Sequence, residues 1–212
     1  MDLFMPIIND TQLHENFKRI ANNKYLVDII SRLSVGFDIE RDGKEKFIKE
    51  FQSTFNSSLW EIYCYALFNS MGCEFDFSHE RPDFVLRYNS VPFNVECVIT
   101  NPSDGALPEY DVNEKLNSTK SLSGIVNDQI IRLLNAMSSK YTKYHKGYSC
   151  EEWVKDKAFI IAVHAFEQAG FMKANKEAIR LALYGRHYDI NNDSDDYISS
   201  INKPNGSPLS TG

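Results

Sequence analysis

The chain has 212 residues, 42% of them hydrophobic and 25% charged, with a formal net charge of −6. That is an ordinary globular balance, long enough for one domain with a real core. It excludes a membrane-spanning segment, because no run of about 18 apolar residues occurs, and it argues against broad nonspecific nucleic-acid binding through a basic surface.

Residues 10 to 34 carry Leu13, Phe17, Ile20, Leu26, Ile29, Ile30 and Leu33 at helical spacing, with Gly36 to end the helix. Asp42-Gly43 is a turn signal, and 44 to 55 predicts a second helix with Phe47, Ile48, Phe51 and Phe55 on one side. Ser57 or Ser58 can cap a third helix over 58 to 70, stopping near Gly72. The period then changes: 73 to 78, 83 to 88 and 92 to 100 are short and rich in Phe and Val, with turn residues between them. Residues 103 to 122 are polar and predict a loop. Helical spacing returns over 124 to 146, on a stripe from Val126 to Tyr144. The nearly all-apolar run 158 to 166 predicts a central strand covered on both faces. A last helix is expected over 173 to 185, and the polar stretch from Asn191 is expected to be disordered or truncated.

This order predicts an α/β fold, a mixed central sheet flanked by helices. It divides into an N-terminal helical segment 1–43, an α/β core 44–190 and a polar tail 191–212. Cys64, Cys73, Cys97 and Cys150 form no CxxC pair. They predict reduced thiols rather than a zinc site, and with no secretory signal at the start, a cytoplasmic location is expected.

The chemistry is concentrated in one hairpin. With Asn89-Ser90 as a two-residue turn, 88 faces 91, 86 faces 93, 84 faces 95 and 83 faces 96. Phe84, Leu86, Tyr88, Val91, Phe93 and Val95 then form an apolar face for the core. Asp83, Val85, Asn94 and Glu96 take the other face, and a slip of one residue would mix the two. Asp83 and Glu96 become cross-strand partners with Cβ atoms about 5 Å apart. Paired carboxylates call for a cation between them or a shared proton, or else an exposed edge where water screens both. Among cations, a hard ion such as Mg²⁺ or Mn²⁺ suits oxygen ligands. Glu61 is the only charged residue between Ser57 and Cys73, in a helix apolar almost all round. Burial there demands a partner or a metal. A salt bridge to a core arginine, or a rim position near the helix start, would also serve.

Helix-Glu61, then Pro82-Asp83 opening a strand, then Glu96 in the next strand resembles the PD-(D/E)XK, or restriction-endonuclease-like, nuclease superfamily. The resemblance covers about residues 45 to 185 in element order. It implies that Asp83 and Glu96 bind Mg²⁺ or Mn²⁺, with Glu61 completing the site, for hydrolysis of DNA or RNA. It also implies a lysine two residues after Glu96, where this sequence has Val98. Some members carry that lysine on a neighbouring element. Lys140, at the edge of the stripe in the 124 to 146 helix, is the candidate replacement, with Gln129, Arg132 and Lys143 as backbone contacts and Lys143 on the outer face. All four also read as solvated positions of an amphipathic helix. The alternative function is a catalytically silent nuclease-fold module that binds a protein or nucleic acid. Nucleic acid is the expected partner, with a homodimer as a further option. His79, four residues before Asp83, could touch substrate or metal or be a solvated loop histidine, His164 reads as a core histidine rather than a ligand, and 140 to 148 interleaves cations with aromatics, as single-strand binding or an ordinary helix end would.

Overall fold

The computed structural model describes residues 2–37, 44–102, 108–110, 122–165, 176–184, 186–189 and 194–197. The turn expected at Asp42-Gly43, most of the 103 to 122 loop and most of the polar tail lie outside them. The chain divides into two compact units: Met1–Ile99 with Ser139–His164, and Thr100–Ser138 with Ala165–Gly212.

In the first unit, the single helix expected over 10 to 34 is two, α1 (Glu15–Ala21) and α2 (Lys24–Leu33), after a 3-10 turn at Asp10–Gln12. The cause is local capping. His14 Nδ1 accepts from the Asn16 amide at 3.1 Å and opens α1. Asn22 closes that helix, its side-chain amide donating to the Lys18 carbonyl at 2.8 Å, and Asn23 opens α2 by accepting from Leu26 N–H. Helix α3 (Lys44–Ser53) follows, then α4 (Phe55–Ser70), which starts after Thr54 rather than at the expected serines. Its end is as expected. Gly72, at φ +81°, lets the Cys73 amide fold back onto the Phe68 carbonyl at 3.0 Å.

Phe17, Phe37, Phe51, Phe55 and Phe84 are each no more than 1% exposed and join the helices to the sheet in one core. Phe51 meets Phe4 and Phe17 edge-on. Gln52, fully buried beside it, donates to the Leu3 and Met5 carbonyls and accepts from Ile7 N–H, tying the N-terminal segment down.

The sheet runs β1 (Glu74–Asp76), β2 (Phe84–Tyr88), β3 (Val91–Ile99), β4 (Ala158–His164), in that spatial order. The first two pairings are antiparallel and β3–β4 is parallel, so the sheet is mixed. The hairpin register is the one the alternation predicts, Phe84 opposite Val95 and Tyr88 opposite Val91. Asn89 and Ser90 both take positive φ, the backbone of a two-residue primed turn. Only the inner part of the apolar face is covered: Phe84, Leu86 and Val95 are buried, whereas Tyr88 and Val91 stand exposed at the tip.

The expected central strand 158 to 166 is, among the described residues, an edge strand over Ala158–His164. Among the described residues β4 pairs only with β3, and Ile160 is exposed. An apolar run marks a strand reached by a parallel crossover but carries no information on sheet order. The covered strand is β3, whose Asn94, Val95, Glu96 and Cys97 are all buried.

Helix α5 (Leu122–Lys143) continues into a π-helical turn at Tyr144–Tyr148, and residues from Ser139 on belong to the first unit. The second unit holds the rest of α5, with Ile125, Val126, Ile130, Ile131 and Leu133 buried, and α6 (Glu177–Tyr184). Two antiparallel strands complete it, β5 (Arg186–Asp189) and β6 (Ser194–Tyr197), the latter within the stretch expected to be disordered. No described helix is long and apolar enough to cross a membrane.

Candidate functional site

Glu96 sits in the most covered strand of the sheet, 2% exposed. A carboxylate so placed must be ion-paired and hydrogen-bonded. It is: Lys140 Nζ donates to Oε1 at 2.7 Å, Lys143 Nζ donates to the same oxygen at 3.1 Å, and the Tyr148 hydroxyl donates to Oε2 at 2.9 Å. Burial alone would raise the Glu96 pKa, but the bonds and charges of the two lysines hold it below the usual value. The Lys140 amine is the mirror case. Burial would lower it, yet the bond and charge of Glu96, with the charges of Asp83 and Glu61, raise it. Burial, then the charge and bond of Glu96, push the Tyr148 phenol up.

Asp83 lies one residue before β2, half-buried, and its Oδ2 accepts the Cys97 N–H from β3 at 2.7 Å. That cross-strand bond fixes the side chain beside Glu96, as the register requires. Desolvation, then the charges of Glu61 and Glu96, raise the Asp83 pKa to about 7. Asp83 thus feels both of the other acids, and Lys140 responds to each of the three. Glu61 reaches it from α4, half-buried rather than enclosed.

A cleft of about 400 Å³ opens onto this cluster, with Glu61 and Asp83 in its wall, Lys46 and Arg81 among its cations and Phe77 and His79 among its rings. Glu96 and Lys140 do not line it. The acids thus divide: Asp83 and Glu61 meet the cleft, and Glu96, held by its lysines, does not line it.

The donor set suits a hard divalent ion in kind, being carboxylate oxygen throughout. Glu96 already accepts three of the about four bonds a carboxylate offers, so one position remains to it. Among the described residues, no group of three or more His, Cys, Asp or Glu is arranged to hold a metal. The cations that settle Glu96 in this structure are two lysine ammonium groups.

Of the residues expected from sequence, Glu61, Asp83, Glu96 and Lys140 are brought together. Val98 stands half-buried in β3, and the amine nearest Glu96 comes from the end of α5. Lys143, expected on the outer face, also turns onto Glu96. Gln129, expected to contact a nucleic-acid backbone, is 3% exposed in the second unit, and no described residue partners its amide nitrogen. A side chain so enclosed cannot meet a ligand from the surface. Arg132, also in the second unit, is half-buried. His164 packs 5.0 Å from the Trp60 ring and burial lowers its pKa, as befits a core histidine.

Sequence reasoning missed Tyr148. Its approach depends on the π turn, marked by the Ser149 amide bonding the Tyr144 carbonyl five residues back at 2.9 Å. The aromatic and cationic density of 140 to 148 was the available signal, but nothing in it announces a widened turn.

Comparison of this chain with family models, with curated proteins and with solved structures gives no significant match.

Proposed function

We propose that this chain hydrolyses phosphodiester bonds of nucleic acid with a divalent metal, Mg²⁺ or Mn²⁺, held by Asp83 and Glu96. The observation that carries this reading is Asp83, in a cleft wall with Glu61, under the charges of Glu61 and Glu96, with the Lys140 ammonium 2.7 Å from Glu96. A bound divalent ion supplies positive charge to a phosphate and lowers the pKa of a coordinated water. The protein's own groups do the rest. The Cys97 amide holds Asp83 in place from Oδ2. Lys140 carries a proton at Nζ and offers positive charge to the phosphate as negative charge develops. Lys143 and the Tyr148 hydroxyl keep Glu96 ionised and oriented. Glu61 faces the cleft, where it can orient a water.

The test is cleavage of end-labelled single- and double-stranded DNA and RNA in Mn²⁺. The wild type should cut, and Glu96→Gln and Asp83→Asn should each lose about 100-fold or more. Absence of cutting above an EDTA control, or equal cutting by both variants, would overturn the proposal. A second reading, a silent binding module, is favoured by Val98 and by the near-saturation of Glu96 with protein donors. It predicts binding without cleavage under the same conditions.

A further inference from the structure

His79 is built into the cleft wall instead of standing in solvent. Its ring lies parallel to the Trp153 indole, 9° between planes and 4.2 Å between centroids. Trp153 is itself anchored, its Nε1–H donating to the Arg81 carbonyl at 2.7 Å. His79 Nε2 lies 3.5 Å from Asp76 Oδ2, and Asp76 is tied in turn to the Ser78 amide and hydroxyl. The imidazole lines the cleft, and Trp153, stacked on it, is not among the residues that line it. Four residues along the chain, in the same cleft, stands Asp83.

We propose that His79, stacked on Trp153, is the platform for one unpaired nucleobase, and that the substrate is therefore single-stranded nucleic acid. The cleft's about 400 Å³ matches the volume of one small ligand, not of a duplex. Arg81 and Lys46 in its wall can meet the flanking phosphates. The net charge of −6 leaves little for duplex binding by charge alone, whereas stacking uses the face that every base has. This inference rests on the phosphodiester reading for the choice of a nucleotide as ligand.

The test is fluorescence anisotropy in Ca²⁺ with labelled oligo(dT), oligo(U), an abasic strand of equal length and a duplex. The wild type should bind oligo(dT) or oligo(U) about tenfold more tightly than the abasic strand. His79→Ala should remove that difference, His79→Phe should keep it, and abasic binding should be equal in all three. Equal binding of base-bearing and abasic strands, unchanged oligo(dT) and oligo(U) binding by His79→Ala, or no binding of either, would overturn the platform. The Mn²⁺ cleavage assay separates the two readings. Base-dependent binding without hydrolysis leaves the platform standing and removes the hydrolase. Hydrolysis of strand and duplex alike, unaffected by His79→Ala, does the reverse.

Discussion

Asp83→Asn should stabilise the metal-free protein in full above neutral pH, in part between about pH 4 and 7, and leave it nearly unchanged below about pH 4. The variant keeps the shape of the side chain and an oxygen for the Cys97 amide, and removes only the charge. In the folded chain the Asp83 pKa rises from its ordinary 3.8 to about 7. At about 1.36 kcal/mol per pH unit, ionising it in place costs at most about 4 kcal/mol. Because Asp83 opens on the cleft, where water screens it, about 1–3 kcal/mol is the expected gain. The sign follows from proton counting. Between pH 3.8 and about 7 the folded state holds a proton that the unfolded state has lost, so wild-type stability falls as pH rises through that window. The full cost is present above it. Urea unfolding in EDTA at pH 3.5, 5, 7 and 8.5 measures this directly: the two proteins should agree at pH 3.5, differ by roughly a third of the full gap at pH 5, and diverge fully by pH 8.5. Mg²⁺ or Mn²⁺ should restore the wild type at pH 8.5 and affect Asp83→Asn much less. If Asp83→Asn is destabilised equally at every pH, the Cys97 hydrogen bond outweighs the carboxylate repulsion and the electrostatic reasoning is wrong.

Lys140→Met should cost about 2 kcal/mol in urea unfolding at pH 7. That is less than the about 3–5 typical of a broken buried pair, because Lys143 stays on the same Glu96 oxygen. Lys143→Met, whose side chain is nearly half exposed, should cost about 1 kcal/mol or less, and the reverse ranking would contradict the geometry. Tyr148→Phe should cost about 1–3 kcal/mol by stripping the donor from Glu96 Oε2. It should also move acid unfolding to higher pH. Glu96 is held below its ordinary 4.5, so its contribution is present above that value and lost as pH falls through the folded pKa. Circular dichroism along an acid titration would show the shift, and an unmoved midpoint would remove the phenol from the site.

How much of this was legible follows from how far each signal reaches along the chain. The hairpin could be read from the residues alone. Alternation assigns faces, Asn89-Ser90 accepts the positive φ that the turn needs, and those two facts place Asp83 beside Glu96. Glu61 was visible as the one charge in an apolar helix, and Lys140 as a cation at the rim of an apolar stripe. The break at Asn22-Asn23 was also present in the residues, as caps, but the apolar period ran across it and hid it. The rest needed the fold. Lys140, Lys143 and Tyr148 meet Glu96 across 44, 47 and 52 residues of chain, and the π turn that aims Tyr148 has no local signature. The same holds for β4 at the sheet edge and for the enclosure of Gln129. The residues by themselves determined which acids share a strand pair, because register and face obey nearest-neighbour sterics. Tertiary structure decided which cations answer them, because that depends on where a distant helix comes to rest.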